Sequence, residues 1–218
     1  SITTQARVKI TNLSDLTVSD TSDADFQIQG KMVVSAPNGG EVWSVGSSQA
    51  ISWSRIGSVQ NVKIEYSRDG GANYGNMIVA TTPAATGSYN WVIPDDITST
   101  AKVKISDVSE PLVFDESNNN FKIRGNLNLT GPDGGEVFLI SSSRNITWIR
   151  YGSIANAKID YSTDGGLTYP YGIVGSVPAA DQTYSWTIPD NPTLQAKVKI
   201  SDAGDPTVAD VSNGNFII

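Results

Sequence analysis

Residues 101–107 read AKVKISD, and the same seven residues return at 196–202, a step of 95 residues. In this stretch Ala101, Val103 and Ile105 alternate with Lys102 and Lys104. Since successive side chains of a β-strand point to opposite faces, the apolar side chains would lie on one face and the ammonium groups in water. The stretch therefore predicts a half-buried strand at 101–107 and an equivalent strand at 196–202.

The motifs around this stretch repeat with the same step and without insertion or deletion. PNGGEV at 37–42 returns as PDGGEV at 132–137, and YNWVIPD at 89–95 returns as YSWTIPD at 184–190. Residues 1–30 match only the last third of the unit, with 6–10 aligned on 101–105. A unit of 95 residues has the size of a domain. We expect a partial repeat at 1–30, the last two strands of a sandwich, and complete repeats at 31–125 and 126–218.

Period-two alternation recurs through each complete repeat, and turn residues separate the apolar runs. The first complete repeat contains seven such runs, with a further short edge strand allowed at 41–45; the runs lie near 31–36, 48–55, 61–67, 74–80, 88–93, 101–106 and 120–124. This order predicts an all-β chain of tandem fibronectin-III/immunoglobulin-like antiparallel β-sandwiches. The alternation places Trp53 and Trp148, and also Trp91 and Trp186, in the cores.

Composition narrows the classes of function. The 218 residues carry 15 Lys and Arg against 22 Asp and Glu, a net charge of −7, so neither nucleic acid nor an anionic membrane surface is an expected partner. No apolar run is long enough to insert in a membrane. The sequence has no cysteine and no histidine, which excludes disulfides, thiolate or imidazole metal sites, and Ser-His-Asp triads. The polar, acidic composition favours an extracellular protein.

The motifs PNGGEVW at 37–43, I-x-W, YSxDGG and AKVKISD, together with a closing N-F-x-I, resemble the Pro-Asn-Gly-Gly-Glu repeats of secreted bacterial and archaeal proteins. Those repeats are grouped with Ser/Thr-rich cell-wall and surface proteins. The resemblance covers both complete copies and part of 1–30. It implies a fibronectin-III-like sandwich at the cell surface, in a family whose modules act as spacers, stalks, and sorting or adhesive elements.

Two Gly-Gly turns resemble the Asp-box of sialidases, with Tyr in place of Trp. They lie at 67–74 and 162–169, and we interpret them as structural turns rather than catalytic sites, because Gly supplies positive φ and Ser and Asp oxygens satisfy loop N–H groups. The turn residues are Asp69, Gly70 and Gly71 and, in the second copy, Asp164, Gly165 and Gly166.

Several alternatives concern ligands. Acidic residues recur in the loop before the last strand, at Asp20, Asp115 and Asp210, where they are interpreted as turn caps. The alternative is Ca²⁺ at the domain junctions, bound by Asp23 and Asp25 or by Glu110, Asp115 and Glu116. We expect caps and no cofactor. A glycan platform on Trp43 and Tyr74, or on Tyr169 and Tyr171, is the competing interpretation of the aromatics. Paired carboxylates for hydrolysis, such as Glu41 and Glu136, lie in turn motifs, and no cleft is suggested.

The partial repeat presents apolar side chains without the rest of a sandwich. These are Val8, Ile10, Phe26 and Ile28, our candidate assembly residues. A lone hairpin is marginal in water, and exposed strands favour pairing. Two explanations remain open: either the missing strands lie upstream in a longer multi-repeat protein, or the segment docks on another copy by strand addition or end-to-end packing.

The sequence as a whole predicts a non-enzymatic extracellular structural protein, a repeat module of a cell-surface array, stalk or filament. Its expected partners are other copies of itself or neighbouring repeats. The alternative function is an adhesin or a carbohydrate-binding accessory module of a secreted protein, with glycans as partners.

Overall fold

The computed structural model describes residues 2–218 as short strands joined by turns. The helices in this range are two three-residue 3₁₀ turns, at Ala84–Thr86 and Ala179–Asp181. Neither is long enough to cross a membrane. The chain is thus all-β, and the predicted tandem antiparallel sandwiches are confirmed.

The chain divides into two compact units. The first contains the chain up to Glu41 together with Ser48–Trp91 and Ser99–Lys122. The second contains Val42–Ser47, Val92–Thr98 and Ile123–Ile218. The partial repeat therefore lies in the first unit with most of the first complete repeat.

The partial repeat forms four short strands: β1 (Thr3–Ala6), β2 (Lys9–Thr11), β3 (Ser19–Thr21) and β4 (Phe26–Ile28). β1 pairs antiparallel with β4, and β2 pairs antiparallel with β3. These pairs are separate two-stranded sheets. Neither pair has a third strand on it among the described residues.

The first complete repeat contains nine strands: β5 (Lys31–Ala36), β6 (Val42–Ser44), β7 (Ser48–Ile56), β8 (Asn61–Ser67), β9 (Asn76–Pro83), β10 (Ser88–Val92), β11 (Thr98–Asp107), β12 (Phe114–Glu116) and β13 (Phe121–Arg124). One sheet has the order β10-β7-β5. The other has the order β6-β13-β11-β8-β9, with β12 paired to β11. The expected edge at 41–45 is present as β6, and β12 was not expected.

The second complete repeat follows the same plan with seven strands: β14 (Asn126–Gly131), β15 (Ser143–Tyr151), β16 (Asn156–Ser162), β17 (Tyr171–Pro178), β18 (Thr183–Thr187), β19 (Lys197–Asp202) and β20 (Ala209–Val211). Its sheets have the orders β14-β15-β18 and β17-β16-β19-β20. An isolated bridge from Val137 to Ile217 stands where β6 pairs with β13 in the first repeat, and one from Ala196 to Phe216 stands where β13 pairs with β11.

The two copies use the same strand register. Val103 lies opposite Tyr66 in the β11–β8 pair, as Val198 lies opposite Tyr161 in the β19–β16 pair. The I-x-W tryptophans are buried, and the indole of Trp53 donates to the carbonyl of Ala84 at 3.0 Å. In the second repeat Trp148 donates in the same way to Ala179. Trp91 and Trp186 are buried as well.

Candidate functional site

The candidate site is an apolar surface on the partial repeat, formed by Val8, Ile10, Val18, Phe26 and Ile28, which we call the open face. Val8 and Ile10 are 54% and 74% exposed, and Phe26 and Ile28 are 42% and 45% exposed. Their counterparts lie in the cores of the complete repeats with at most 9% exposure: Val103, Ile105, Phe121 and Ile123 in the first, and Val198, Ile200, Phe216 and Ile218 in the second. The same positions are therefore core in two copies and surface in the third.

The backbone of the partial repeat nevertheless has the geometry that the last third of a complete repeat has. Ile10 lies opposite Asp20 in the β2–β3 pair, the register that Ile105 and Asp115 have in β11–β12. The turn between the strands is also reproduced: Asn12 N donates to Val18 O at 2.9 Å, and its counterpart Asp107 N donates to Val113 O at 2.9 Å. The segment is folded as the last third of a sandwich whose other strands it does not contain.

A buried serine joins the last third of each complete repeat to its beginning. Ser117 Oγ donates to the carbonyl of Pro37 at 2.7 Å and accepts from Val103 N at 3.0 Å. In the second repeat Ser212 Oγ donates to Pro132 O at 2.8 Å. The aligned Ser22 Oγ donates instead to the carbonyl of Val8, at 3.1 Å.

An aspartate two residues earlier makes a second link to the same strand. Asp115 Oδ2 accepts from Val34 N at 2.7 Å, and Asp210 Oδ2 accepts from Leu129 N at 2.7 Å. The aligned Asp20 is exposed, and its carboxylate has no hydrogen-bond donor among residues 2–218. The sequence interpretation of Asp115 and Asp210 as loop residues that cap turns is therefore wrong: both lie in strands and fix the position of β5 or β14.

The Ser-Asp-Gly-Gly turns are built as local hydrogen-bond networks. Ser67 Oγ donates to Asp69 Oδ1 at 2.5 Å and accepts from Gly71 N at 2.9 Å, while Asn73 N donates to Asp69 Oδ1 at 2.9 Å. Gly70 and Gly71 have φ of 76° and 95°, which side chains disfavour. The hydrogen bonds from Ser67 and Asn73 lower the pKa of Asp69 from 3.8 to about 2.

The second turn is equivalent, with Asp164 held by Ser162 and Thr168. Ser162 Oγ donates to Asp164 Oδ1 at 2.5 Å, and Thr168 Oγ1 donates to Asp164 Oδ2 at 2.6 Å. These bonds keep the pKa of Asp164 far below its ordinary value. Gly165 and Gly166 repeat the positive φ, at 76° and 89°. The carboxylates are thus occupied by their own turns.

The carboxylates of the Pro-x-Gly-Gly-Glu motifs are occupied in the same manner. The two oxygens of Glu41 accept from Asn38 N and Gly39 N, each at 2.8 Å. Glu136 accepts from Asp133 N and Gly134 N with the same distances. Within residues 2–218 no group of three or more acidic side chains is arranged to hold a metal ion.

The aromatic residues named as glycan platforms have different surroundings. Tyr74 donates to Glu116 Oε2 at 2.7 Å, and burial followed by this hydrogen bond raises its pKa. Trp43 is 7% exposed. Tyr171 stacks on Tyr161, with ring centroids 4.9 Å apart. These two tyrosines line a cleft of about 560 Å³ between β17 and β18, together with Pro170, Gly172, Ile173, Tyr184, Ser185, Trp186, Thr187 and Pro189.

Sequence reasoning found the open face but missed Ser22 and the role of Asp20. The signal was present, because a serine recurs at 22, 117 and 212 and an aspartate at 20, 115 and 210, both at the step of the repeat. The sequence analysis also grouped Tyr171 with Tyr169 as a glycan platform. In the structure Tyr171 stacks on Tyr161, and Lys199 lies near the ring of Tyr169.

No protein-family model and no curated protein matches the chain. Solved structures do. The fibronectin(III)-like modules of Clostridium thermocellum CbhA are 16% identical with a TM-score of 0.31, over 86% of this chain and 93% of that one. The N-terminal four Ig domains of Dscam1 isoform 8.4 are 7% identical with a TM-score of 0.35, over 91% and 51%. Rst D1-D2 is 12% identical with a TM-score of 0.30, over 85% and 99%. These likenesses concern the fold alone.

Proposed function

We propose that the protein is a non-enzymatic extracellular structural protein, a repeat module of a cell-surface array, stalk or filament. A further repeat, in another copy of the chain, covers the open face. The observation that carries the proposal is the exposure of side chains that are core in both complete repeats. Exposed apolar strand surfaces of this kind promote association between polypeptides.

The occupied carboxylates support a role without catalysis. The turn aspartates and the glutamates of the Pro-x-Gly-Gly-Glu motifs each accept hydrogen bonds from their own loops. A general acid or base needs a carboxyl group that can reach a substrate proton. The resemblance to Pro-Asn-Gly-Gly-Glu repeats supports the cell-surface location.

The test is self-association of the whole chain, measured by sedimentation velocity and negative-stain electron microscopy. Ile10→Lys places a charge on the open face, and Leu13→Lys is the matched control on a loop residue that is 94% exposed. We expect oligomers or filaments from the wild-type chain and from Leu13→Lys, and fewer from Ile10→Lys. Monomers at every concentration for all three proteins would overturn the proposal.

Glycan binding is the second candidate, and the Tyr161–Tyr171 cleft is the observation that favours it. Tyr171 is 39% exposed, so part of its ring is available to stack on a sugar. The residues that line the cleft carry no formal charge, which suits a neutral saccharide. In the first repeat the aligned residue is Asn76, whose side chain donates to the carbonyl of Tyr66.

The chain supplies its own control for this second candidate. Neutral oligosaccharides are titrated into the wild-type protein and into Tyr171→Asn, which copies the first repeat at that position. Binding that Tyr171→Asn weakens at least about tenfold supports the glycan role, since stacked aromatic contacts contribute on the order of 1 kcal/mol or more. Equal titration curves for the two proteins would remove this candidate.

A further inference from the structure

We infer that Asn38 modifies itself: the backbone nitrogen of Gly39 attacks its side-chain amide with Glu41 as general base, and water opens the resulting ring to leave a carboxylate at position 38. The two repeats differ at this one place within otherwise identical motifs, since the first has PNGGEV and the second PDGGEV, with Asp133 aligned on Asn38. The reaction occurs once within a single turn, turns over no substrate and does not depend on assembly.

The nucleophile of this reaction is held against its base. Gly39 N donates to Glu41 Oε2 at 2.8 Å, so the carboxylate can accept the amide proton while the nitrogen bonds to Cγ of Asn38. The N–H lies in the plane of the peptide group and the attack uses the electron density above that plane, so both can occur together. Glycine also leaves the closing five-membered ring unhindered, and a Cβ at this position would clash with Asn119.

The side-chain amide of Asn38 is polarised by a backbone donor. Asn118 N donates to Asn38 Oδ1 at 2.7 Å, the oxygen on which negative charge develops when Gly39 N adds to Cγ. Glu41 passes the proton that it has taken to the leaving NH₂ group, which departs as ammonia and leaves a cyclic imide. Asn118 N still polarises the side-chain carbonyl of the imide, so water adds there, breaks the new C–N bond and restores the main chain.

The second repeat shows what the product gains. Asp133 accepts from Asn213 N at 2.8 Å and also from Asn213 Nδ2 at 3.0 Å. The first repeat has the aligned Asn118, but its Nδ2 has no acceptor among residues 2–218. A carboxylate in place of the Asn38 amide would supply that acceptor.

A lysine lies near each turn and favours negative charge there. Lys197 Nζ donates to the carbonyl of Asn213 at 3.3 Å, as Lys102 Nζ donates to the aligned carbonyl at 3.4 Å. The hydrogen bonds from Asn213, followed by the charge of Lys197, lower the pKa of Asp133 below its ordinary value. The reaction therefore gives position 38 the charge that these surroundings stabilise.

A second Asn-Gly pair in the chain lacks the base and serves as an internal control. Gly214 N donates to the backbone carbonyl of Asp133 at 2.8 Å, and a neutral carbonyl is a far weaker base than a carboxylate. Asn213 is exposed, whereas Asn38 is half-buried. Exposure alone would favour reaction at Asn213, so faster reaction at Asn38 reports the carboxylate of Glu41.

The experiment follows both asparagines by peptide mass spectrometry while the whole chain is incubated at neutral pH in heavy-oxygen water. We expect Asn38 to become an acid, with one oxygen from water, at least about tenfold faster than Asn213. Glu41→Gln should slow the reaction of Asn38 at least about tenfold, and Glu136→Gln, the same change in the second repeat, should not affect it. If Glu41 only held the turn in place, its loss would free the loop and leave the rate unchanged or raise it. Either of these results, or faster reaction at Asn213, would overturn the inference.

Asn38→Asp tests the product. Amide exchange at residues 118–120 should slow about tenfold, because a charged acceptor binds Asn118 more strongly than an amide does. Asp133→Asn is the reverse change in the second repeat and should speed exchange at residues 213–215 by a similar factor. Unchanged exchange in both variants, or isoaspartate as the sole product in the wild-type chain, would contradict the product that we assign.

Discussion

Ser117 Oγ donates a hydrogen bond of 2.7 Å to the carbonyl oxygen of Pro37, a residue 80 positions earlier. The same hydroxyl accepts from Val103 N at 3.0 Å, and the side chain is fully buried. One small polar group thus joins the first strand of the repeat to its last third. In the partial repeat Ser22 aligns with this serine, and residues 1–30 contain no position that aligns with Pro37.

Replacing this serine should destabilise the first repeat. Ser117→Ala leaves a buried carbonyl and a buried N–H without their partner, so we expect the free energy of unfolding of that repeat to fall by about 2 kcal/mol. The measurement is amide exchange at Val103 and its strand neighbours. Ser212→Ala should have a matching effect confined to the second repeat. Unchanged exchange in both variants would show that the hydroxyl contributes nothing to stability.

The turn aspartates should make stability depend on acid pH. The folded pKa of Asp69 is about 2 against an ordinary value of 3.8, so its contribution is present above 3.8 and is lost as the pH falls towards 2. Asp69→Asn should lower the melting temperature at pH 7 and flatten its fall between pH 4 and pH 2. Thermal unfolding followed by circular dichroism across that range checks this. A wild-type slope in the variant would contradict it.

The two glycines of the Pro-Asn-Gly-Gly-Glu turn should differ in their tolerance of alanine. A Cβ on Gly39 would lie 2.4 Å from the Cβ of Asn119, whereas a Cβ on Gly40 would meet nothing within 4 Å. Both have positive φ, so Gly40→Ala should cost about 1 kcal/mol of strain and Gly39→Ala roughly 3 kcal/mol. Urea denaturation of the two variants compares them. Equal losses would mean that the loop containing Asn119 relaxes freely.

The buried tryptophans should be equivalent in the two repeats. Trp53→Phe removes the donor to the carbonyl of Ala84 and leaves unfilled space in the core, which should cost about 2 kcal/mol. Trp148→Phe removes the matching bond to Ala179 and should cost a similar amount. Chemical denaturation of each variant measures both losses, and a large difference between them would contradict the equivalence.

Alternation of side chains was sufficient to predict most strands but not β12. Strands β5, β8 and β11 have apolar residues at every second position. The predicted bounds of β5 and β8 agree with the structure, whereas β11 begins at Thr98, three residues before its predicted start. In β12 the residue that faces the rest of the sandwich is Asp115, and its carboxylate accepts from Val34 N. A polar side chain at an inward position breaks the apolar pattern, so the strand was interpreted as a loop.

The open face was predictable because it follows from alignment alone. Val8 and Ile10 align with Val103 and Ile105, which the alternation places in the core of the first complete repeat. The cleft beside Tyr171 was not predictable. It depends on stacking against Tyr161, a partner ten residues away on the neighbouring strand, and a single sequence does not give the register that brings the rings together.

The shared register of β11 and β19 has a consequence for the kinetics of folding. Both strands contain the residues KVKISD, so β8 meets two chemically identical partners while the chain is unfolded. Pairing with the distant one combines the start of one repeat with the end of the next, a kinetic trap that must reopen before native structure can form. Refolding should therefore include a slow fraction.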